Sequence, residues 1–146
     1  MSDAYVFDTE AIIAFLYDEP GHDRVGDLLD EVDAGDAVGL LSEMNASEVY
    51  YLVARYEGTP DKRSTPASLR AADRDIRTLT RRGVAVERAE WRLAGEVKAD
   101  GDISLADASA VALAHGRDAT LIAGGDDYFE ALPVDVDVAR FRDQAV

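Results

Sequence analysis

The chain has 146 residues and is 47% apolar, enough for one ordinary domain with a sizeable core and too much for a disordered chain. It has no cysteine, which excludes disulfides, iron–sulfur clusters, thiolate zinc sites and cysteine nucleophiles together. The net charge is −15, built from 20 Asp and 10 Glu against 13 Arg and only 2 Lys, an Asp-rich and Lys-poor balance like that of salt-in halophiles. Such a surface repels nucleic acid in dilute buffer, but salt screens it, to about 3 Å at 1 M, so an RNA substrate is not excluded. No apolar run approaches the roughly 18 residues of a membrane span, and MSDAYVFDTE carries no basic region ahead of an apolar stretch. The expectation is a cytoplasmic protein with no membrane association.

Ala4 to Phe7 is a short apolar run, long enough for a buried strand, and it stops at Asp8. A helical pattern follows through Ile12, Ile13, Phe15 and Leu16 and ends at Pro20 and Gly21. A second helix is predicted from His22 to Ala34, with Val25, Leu28, Leu29 and Val32 on one face and Gly35 as its stop. Ala37 to Leu41 reads as a strand. Asn45 to Tyr56 is helical, with Val49, Leu52, Val53 and Tyr56 at three- and four-residue spacing. Thr65 and Pro66 then give a helix start, Thr as cap and Pro at the first helical position, and that helix buries Leu69, Ile76 and Leu79 before Gly83. Val84 to Val86 is a strand, Trp91 to Ala99 a short helix, and Ser104 to His115 another, closed by Gly116. Thr120 to Ala123 is a strand, a short helical turn holds Tyr128 and Phe129, and a last strand runs from Val134 to Val138. Strands alternating with helices predict a three-layer α/β/α sandwich with a mainly parallel central sheet, in one domain spanning the chain. In such sheets ligands bind beyond the carboxyl ends of the strands, near the switch in strand order, which points to Asp8 and Asp126.

Each candidate acid has a bland reading of its own. Asp8 could cap the helix after it. Glu48 could flank the apolar face of its helix, as charged residues at a core edge do. Ser104 and Asp107 have capping-box spacing, and Asp126 and Asp127 after two glycines fit a turn. As a group they are harder to dismiss, because a parallel sheet brings strand ends and the first turns of following helices to one rim. Four carboxylates there would repel one another unless a cation neutralised them. An all-oxygen site suits Mg²⁺ or Mn²⁺ rather than zinc.

Four segments carry a resemblance. They are Val6 to Leu16 (VFDTEAIIAFL), Asn45 to Tyr51 (NASEVYY), Ile103 to Ala108 (ISLADA) and Leu121 to Phe129 (LIAGGDDYF), and they resemble the signature blocks of PIN domains in order and spacing. The small size is similar to that of VapC toxins of type II toxin–antitoxin pairs. The resemblance implies that Asp8, Glu48, Asp107 and Asp126 are the family's four acids, with Asp127 as a possible assistant. It also implies a metal-dependent endoribonuclease that leaves 5′-phosphate and 3′-hydroxyl ends, with one or two Mg²⁺ or Mn²⁺ ions held by those acids. A cognate antitoxin, an RNA substrate and a homodimer follow from the same resemblance. One departure stands out: the family commonly has Thr or Ser two residues before the fourth acid, and here that residue is Gly124.

Competing classes fit less well. Neither His22 nor His115 has a partner for a Ser–His–Asp hydrolase, and His115 suits a helix end. Lys62 and Lys98 fall in a loop and a helix rather than after a late strand, against a receiver-like module. Asp8-Thr9-Glu10 lacks the Asp-x-Asp start of haloacid-dehalogenase-like phosphatases. The alternative left open is a PIN fold that binds RNA or protein without cutting it.

Overall fold

The computed structural model describes residues 3–124, 129 and 131–142. In chain order the elements are β1 (Asp3–Phe7), α1 (Thr9–Leu16), α2 (His22–Asp33), β2 (Ala37–Ser42), α3 (Glu43–Tyr56), α4 (Pro66–Arg81), β3 (Val84–Glu87), α5 (Trp91–Asp100), α6 (Leu105–Arg117), β4 (Thr120–Ala123) and β5 (Val138–Arg140). The strands form one sheet in the order β3-β2-β1-β4-β5, and all four pairings are parallel. The α/β sandwich expected from the alternation is the fold observed.

Successive residues along a strand point to opposite faces, so a sheet covered on both sides needs apolar residues at adjacent positions. That is the pattern here. Phe7, Leu41 and Ile122 enter one core with α1 to α4, while Val6, Leu40 and Leu121 enter a second with α5 and α6. From β1 the chain steps outward to β2 and β3, then crosses back to place β4 on the other side of β1. The strand order therefore reverses between β1 and β4, whose carboxyl ends are followed by Asp8 and Gly124.

Local signals set the helix starts. Thr65 and Ser68 cap α4 reciprocally, with Pro66 in the first turn, as the sequence indicated. Ser42 caps α3, which begins at Glu43 rather than Asn45. Gly116 does not end α6: the helix continues to Arg117 and closes at Asp118, whose φ of 49° is a left-handed conformation that Asp tolerates better than most residues. The last strand is also displaced. Val134 and Val136 pack against the second core without pairing, and the ladder with β4 runs only through Val138 to Arg140. Phe129 is buried in that same core, whereas Tyr128 lies outside the described residues. Among the described residues, no helix is long and apolar enough to cross a membrane.

Candidate active site

Asp8 sits at the switch in strand order and is only 2% exposed. Its backbone N–H continues the sheet by donating to the Ile122 carbonyl at 3.0 Å. Its side chain is held from two sides, Oδ1 accepting from the Ala11 N–H at 2.7 Å and Oδ2 from the Gly124 N–H at 3.3 Å. The capping reading of Asp8 is therefore correct, and it does not exhaust the residue, because the second oxygen reaches across to the end of β4. Burial pushes the Asp8 carboxyl up to about 8; the Ala11 N–H opposes this, the negative charges of Asp107 and Glu10 add to it, and the Gly124 N–H opposes it weakly. Without a compensating cation, this carboxyl keeps its proton near neutrality.

Asp107 lies in the first turn of α6, half-buried, and its backbone N–H donates to the capping Ser104 hydroxyl at 3.1 Å. Its charge is felt at Asp8, so two of the four sequence candidates are brought together. Glu48 is half-buried on α3, where its Oε2 accepts from the Tyr51 hydroxyl at 3.4 Å. Asp126 and Asp127 lie outside the described residues. Among the described residues, no three acids or histidines stand together closely enough to hold a metal ion.

The structure adds residues that the sequence reading passed over. Thr9, Ser42 and Asn45 are all buried: the Ser42 hydroxyl donates to Asn45 Oδ1, and Asn45 Nδ2 donates to Thr9 Oγ1 at 3.0 Å. This polar chain ties the start of α3 to the start of α1, directly beside Asp8. Glu10, half-buried, forms an ion pair with Arg142. Arg142 also approaches Glu19 at 3.3 Å and donates from Nε to the Pro20 carbonyl at 2.7 Å. Arg140 donates to the Gly124 carbonyl at 2.6 Å and lies over the Phe129 ring. The segment leaving β5 thus wraps the rim with two arginines. Expecting the last strand to end at Val138 left both residues beyond it, which is why neither was singled out.

A family model described as the PIN domain matches residues 5–134, nearly the whole chain. The chain belongs to the PIN-domain family. A search of curated protein sequences finds no match. Solved structures share the fold at low identity. The structure of VapBC2 from Rickettsia felis bound to a promoter DNA fragment contains a similar chain: 14% identity, TM-score 0.67, covering 94% of this chain and 98% of that one. Mycobacterium tuberculosis VapC20, a sarcin-ricin loop cleaving toxin, is similar at 21% identity and TM-score 0.56, with 85% and 92% covered. A chain of the Neisseria gonorrhoeae FitAcB structure gives 20% identity and TM-score 0.61, with 92% and 95% covered. These are likenesses of fold. In this PIN domain the donors gathered at the rim are oxygens, and two neighbouring carboxyls whose repulsion a cation would relieve fit a hard divalent ion.

Proposed function

We propose that this PIN domain is a metal-dependent endoribonuclease that hydrolyses RNA phosphodiester bonds and serves as the toxin of a type II toxin–antitoxin pair. The observation that carries the reading is Asp8: a buried carboxyl at the switch point of a parallel sheet, fixed from two sides and set beside Asp107. Asp8, Glu48, Asp107 and Asp126 would hold Mg²⁺ or Mn²⁺. Such an ion supplies charge neutralisation for the phosphate and acidifies the attacking water. The chain's own residues do the positioning. The Ala11 and Gly124 N–H groups fix the Asp8 carboxylate, one on each oxygen. The Thr9, Asn45 and Ser42 chain locks the helix that carries Asp8's cap contacts to the helix that carries Glu48. No histidine base is needed.

Membership of the family and likeness to chains of VapBC and FitAcB structures support an antitoxin partner, and a homodimer accords with the same family resemblance. An antitoxin side chain with a guanidinium group would pair well with an acidic rim. The competing reading is a PIN fold that binds RNA or protein without cutting. One experiment separates them: the purified full chain is incubated with RNA at high salt, with Mg²⁺, with Mn²⁺ and with chelator. Cleavage that needs the ion and vanishes in Asp8→Asn supports the nuclease. RNA held but never cut under any ion condition would establish the binding module instead.

A further inference from the structure

Beside the acidic rim lies a second pocket of about 310 Å³, lined by Glu43, Met44, Arg88, Trp91, Leu105 and Ser109 among others. Its apolar walls are open to solvent: Trp91 is 69% exposed, Leu105 44% and Met44 42%. Every element that lines it belongs to the same end of the sheet. Glu43 and Met44 open α3 just after β2, Trp91 opens α5 just after β3, and Leu105 opens α6. Met44 stands one helical turn before Glu48 on the same face of α3. Leu105 and Ser109 flank Asp107 in sequence and so take the opposite side of the first turns of α6, about 10 Å away across the helix. The pocket is thus a neighbour of the carboxylate site, separated from it by the width of one helix end.

Its charge differs from that of the rest of the molecule. Two arginines, Arg88 in its wall and Arg92 next to Trp91, stand against Glu43 in the wall and Glu90 beside Trp91 in sequence, so the pocket is balanced in charge where the chain as a whole carries −15. The Arg92 guanidinium lies 4.5 Å from the centre of the Trp91 ring, and Arg88 pairs with Glu43 at 3.3 Å. An exposed indole with one guanidinium on its ring and a second in the same pocket is the chemistry that holds a base and its phosphate. A second copy of the chain is the competing occupant. In a two-fold pair whose axis passed through the pocket, the patch would meet itself and Glu43 could face the partner's arginines, so a contact between copies is an outcome that the test below must separate.

We infer that the Trp91 pocket is a base-binding subsite for single-stranded RNA, in which one base stacks on Trp91 and a flanking phosphate meets Arg88 or Arg92. The inference rests on the proposed ribonuclease reading and adds to it the place where a nucleotide near the scissile bond is gripped. Trp91 is the chain's only tryptophan, so fluorescence excited at the red edge, where the tyrosines do not absorb, reports on this pocket alone. The test titrates a single-stranded RNA of about a dozen mixed-sequence nucleotides into the full-length Asp8→Asn chain. Stacking should quench the fluorescence saturably in the parent; with affinities of all variants read from the anisotropy of end-labelled RNA, Trp91→Ala should weaken binding at least fivefold (roughly, by the alanine-scale worth of one stack), with Trp91→Phe recovering most of it. Unchanged affinity in Trp91→Ala, or a spectrum that responds to protein dilution rather than to RNA, overturns the subsite; the latter would mark a contact between copies. If Asp8→Asn still cuts RNA at the parent rate, the ribonuclease assignment of that residue fails, whatever Trp91 reports.

Discussion

The Glu10 carboxylate occupies the space that a side chain at position 124 would need. A Cβ placed on Gly124 would lie 2.2 Å from Glu10 Oε2 and 2.4 Å from its Cδ. The glycine here serves close approach rather than an unusual backbone angle, and the acid that fills the gap is pinned by Arg142. Gly124→Ala should therefore push the end of the Glu10 side chain away from Arg142 and destabilise the chain by about 1 kcal/mol or less, the worth of a partly exposed ion pair. In a Glu10→Ala background the same substitution should cost much less. Thermal melts of the two single variants and the double variant measure the coupling. Additive losses would mean that Glu10 moves without losing Arg142.

Asp8 makes stability depend on pH with a definite sign. Its folded-state carboxyl titrates at about 8 because it is buried, against about 3.9 in an unfolded chain. The folded protein therefore binds this proton more tightly, and the stability so gained is fully present below about pH 4 and is lost as pH rises through about 8. The change attributable to this one group is on the order of several kcal/mol at most. In metal-free protein, Asp8→Asn should flatten the fall in melting temperature between pH 5 and pH 8 (approximate bounds of that window) and raise stability at its upper end. RNA cleavage should be lost in the same variant. A parallel pH profile in parent and variant would show that Asp8 stays ionised in the fold.

The parts of the molecule that follow local rules could be read from sequence. An apolar run ending in Asp8, a Thr65-Pro66 start and adjacent apolar residues in each strand are short-range signals, and they lead to the mainly parallel α/β fold and to the end of β1 as its switch point. What stayed hidden depends on distant contacts. Glu10 and Arg142 lie 132 positions apart, and their pairing has no periodic trace. Asn45 could be seen as part of a helix but not as fully buried against Thr9, because a satisfied polar side chain in a core breaks the apolar pattern without announcing its partner. The alternation of Val134, Val136 and Val138 resembles a strand, yet two of the three only pack. Apolar spacing reports burial, and pairing also needs a neighbour in register.

Asp126 and Asp127 lie outside the described residues, and the choice between them is a proposal that mutagenesis decides. Asp126→Asn should abolish cleavage with little effect on melting temperature, and Asp127→Asn should reduce it less. Single-turnover cleavage assays at saturating Mn²⁺ rank the two directly. The reverse ranking would move the fourth acid to Asp127.

The helix α4 offers the clearest test of how so acidic a protein holds RNA at all. Arg70, Arg74, Arg77 and Arg81 are spaced by four, three and four residues, which places them on one face, and all four are exposed. Leu79 is buried on the opposite side and Leu69 and Ile76 pack against the same core, so the stripe turns away from the protein. Arg77 already pairs with Asp73 at 2.8 Å, an exposed pair of the kind that contributes little to stability. A phosphate arriving at Arg77 must compete with that carboxylate at close range, whereas Arg74 has no ion pair among the described residues, although its charge is felt at Asp75. Arg74→Ala should therefore weaken RNA binding more than Arg77→Ala. Each phosphate that the protein no longer neutralises should flatten the slope of log K against log salt by about 0.7 for a single strand. The measurement is a salt series of RNA binding by the Asp8→Asn chain, with each substitution and with both. If the double substitution leaves affinity and slope unchanged, the stripe is a solvated face, and the basic groups that meet RNA lie elsewhere in the chain.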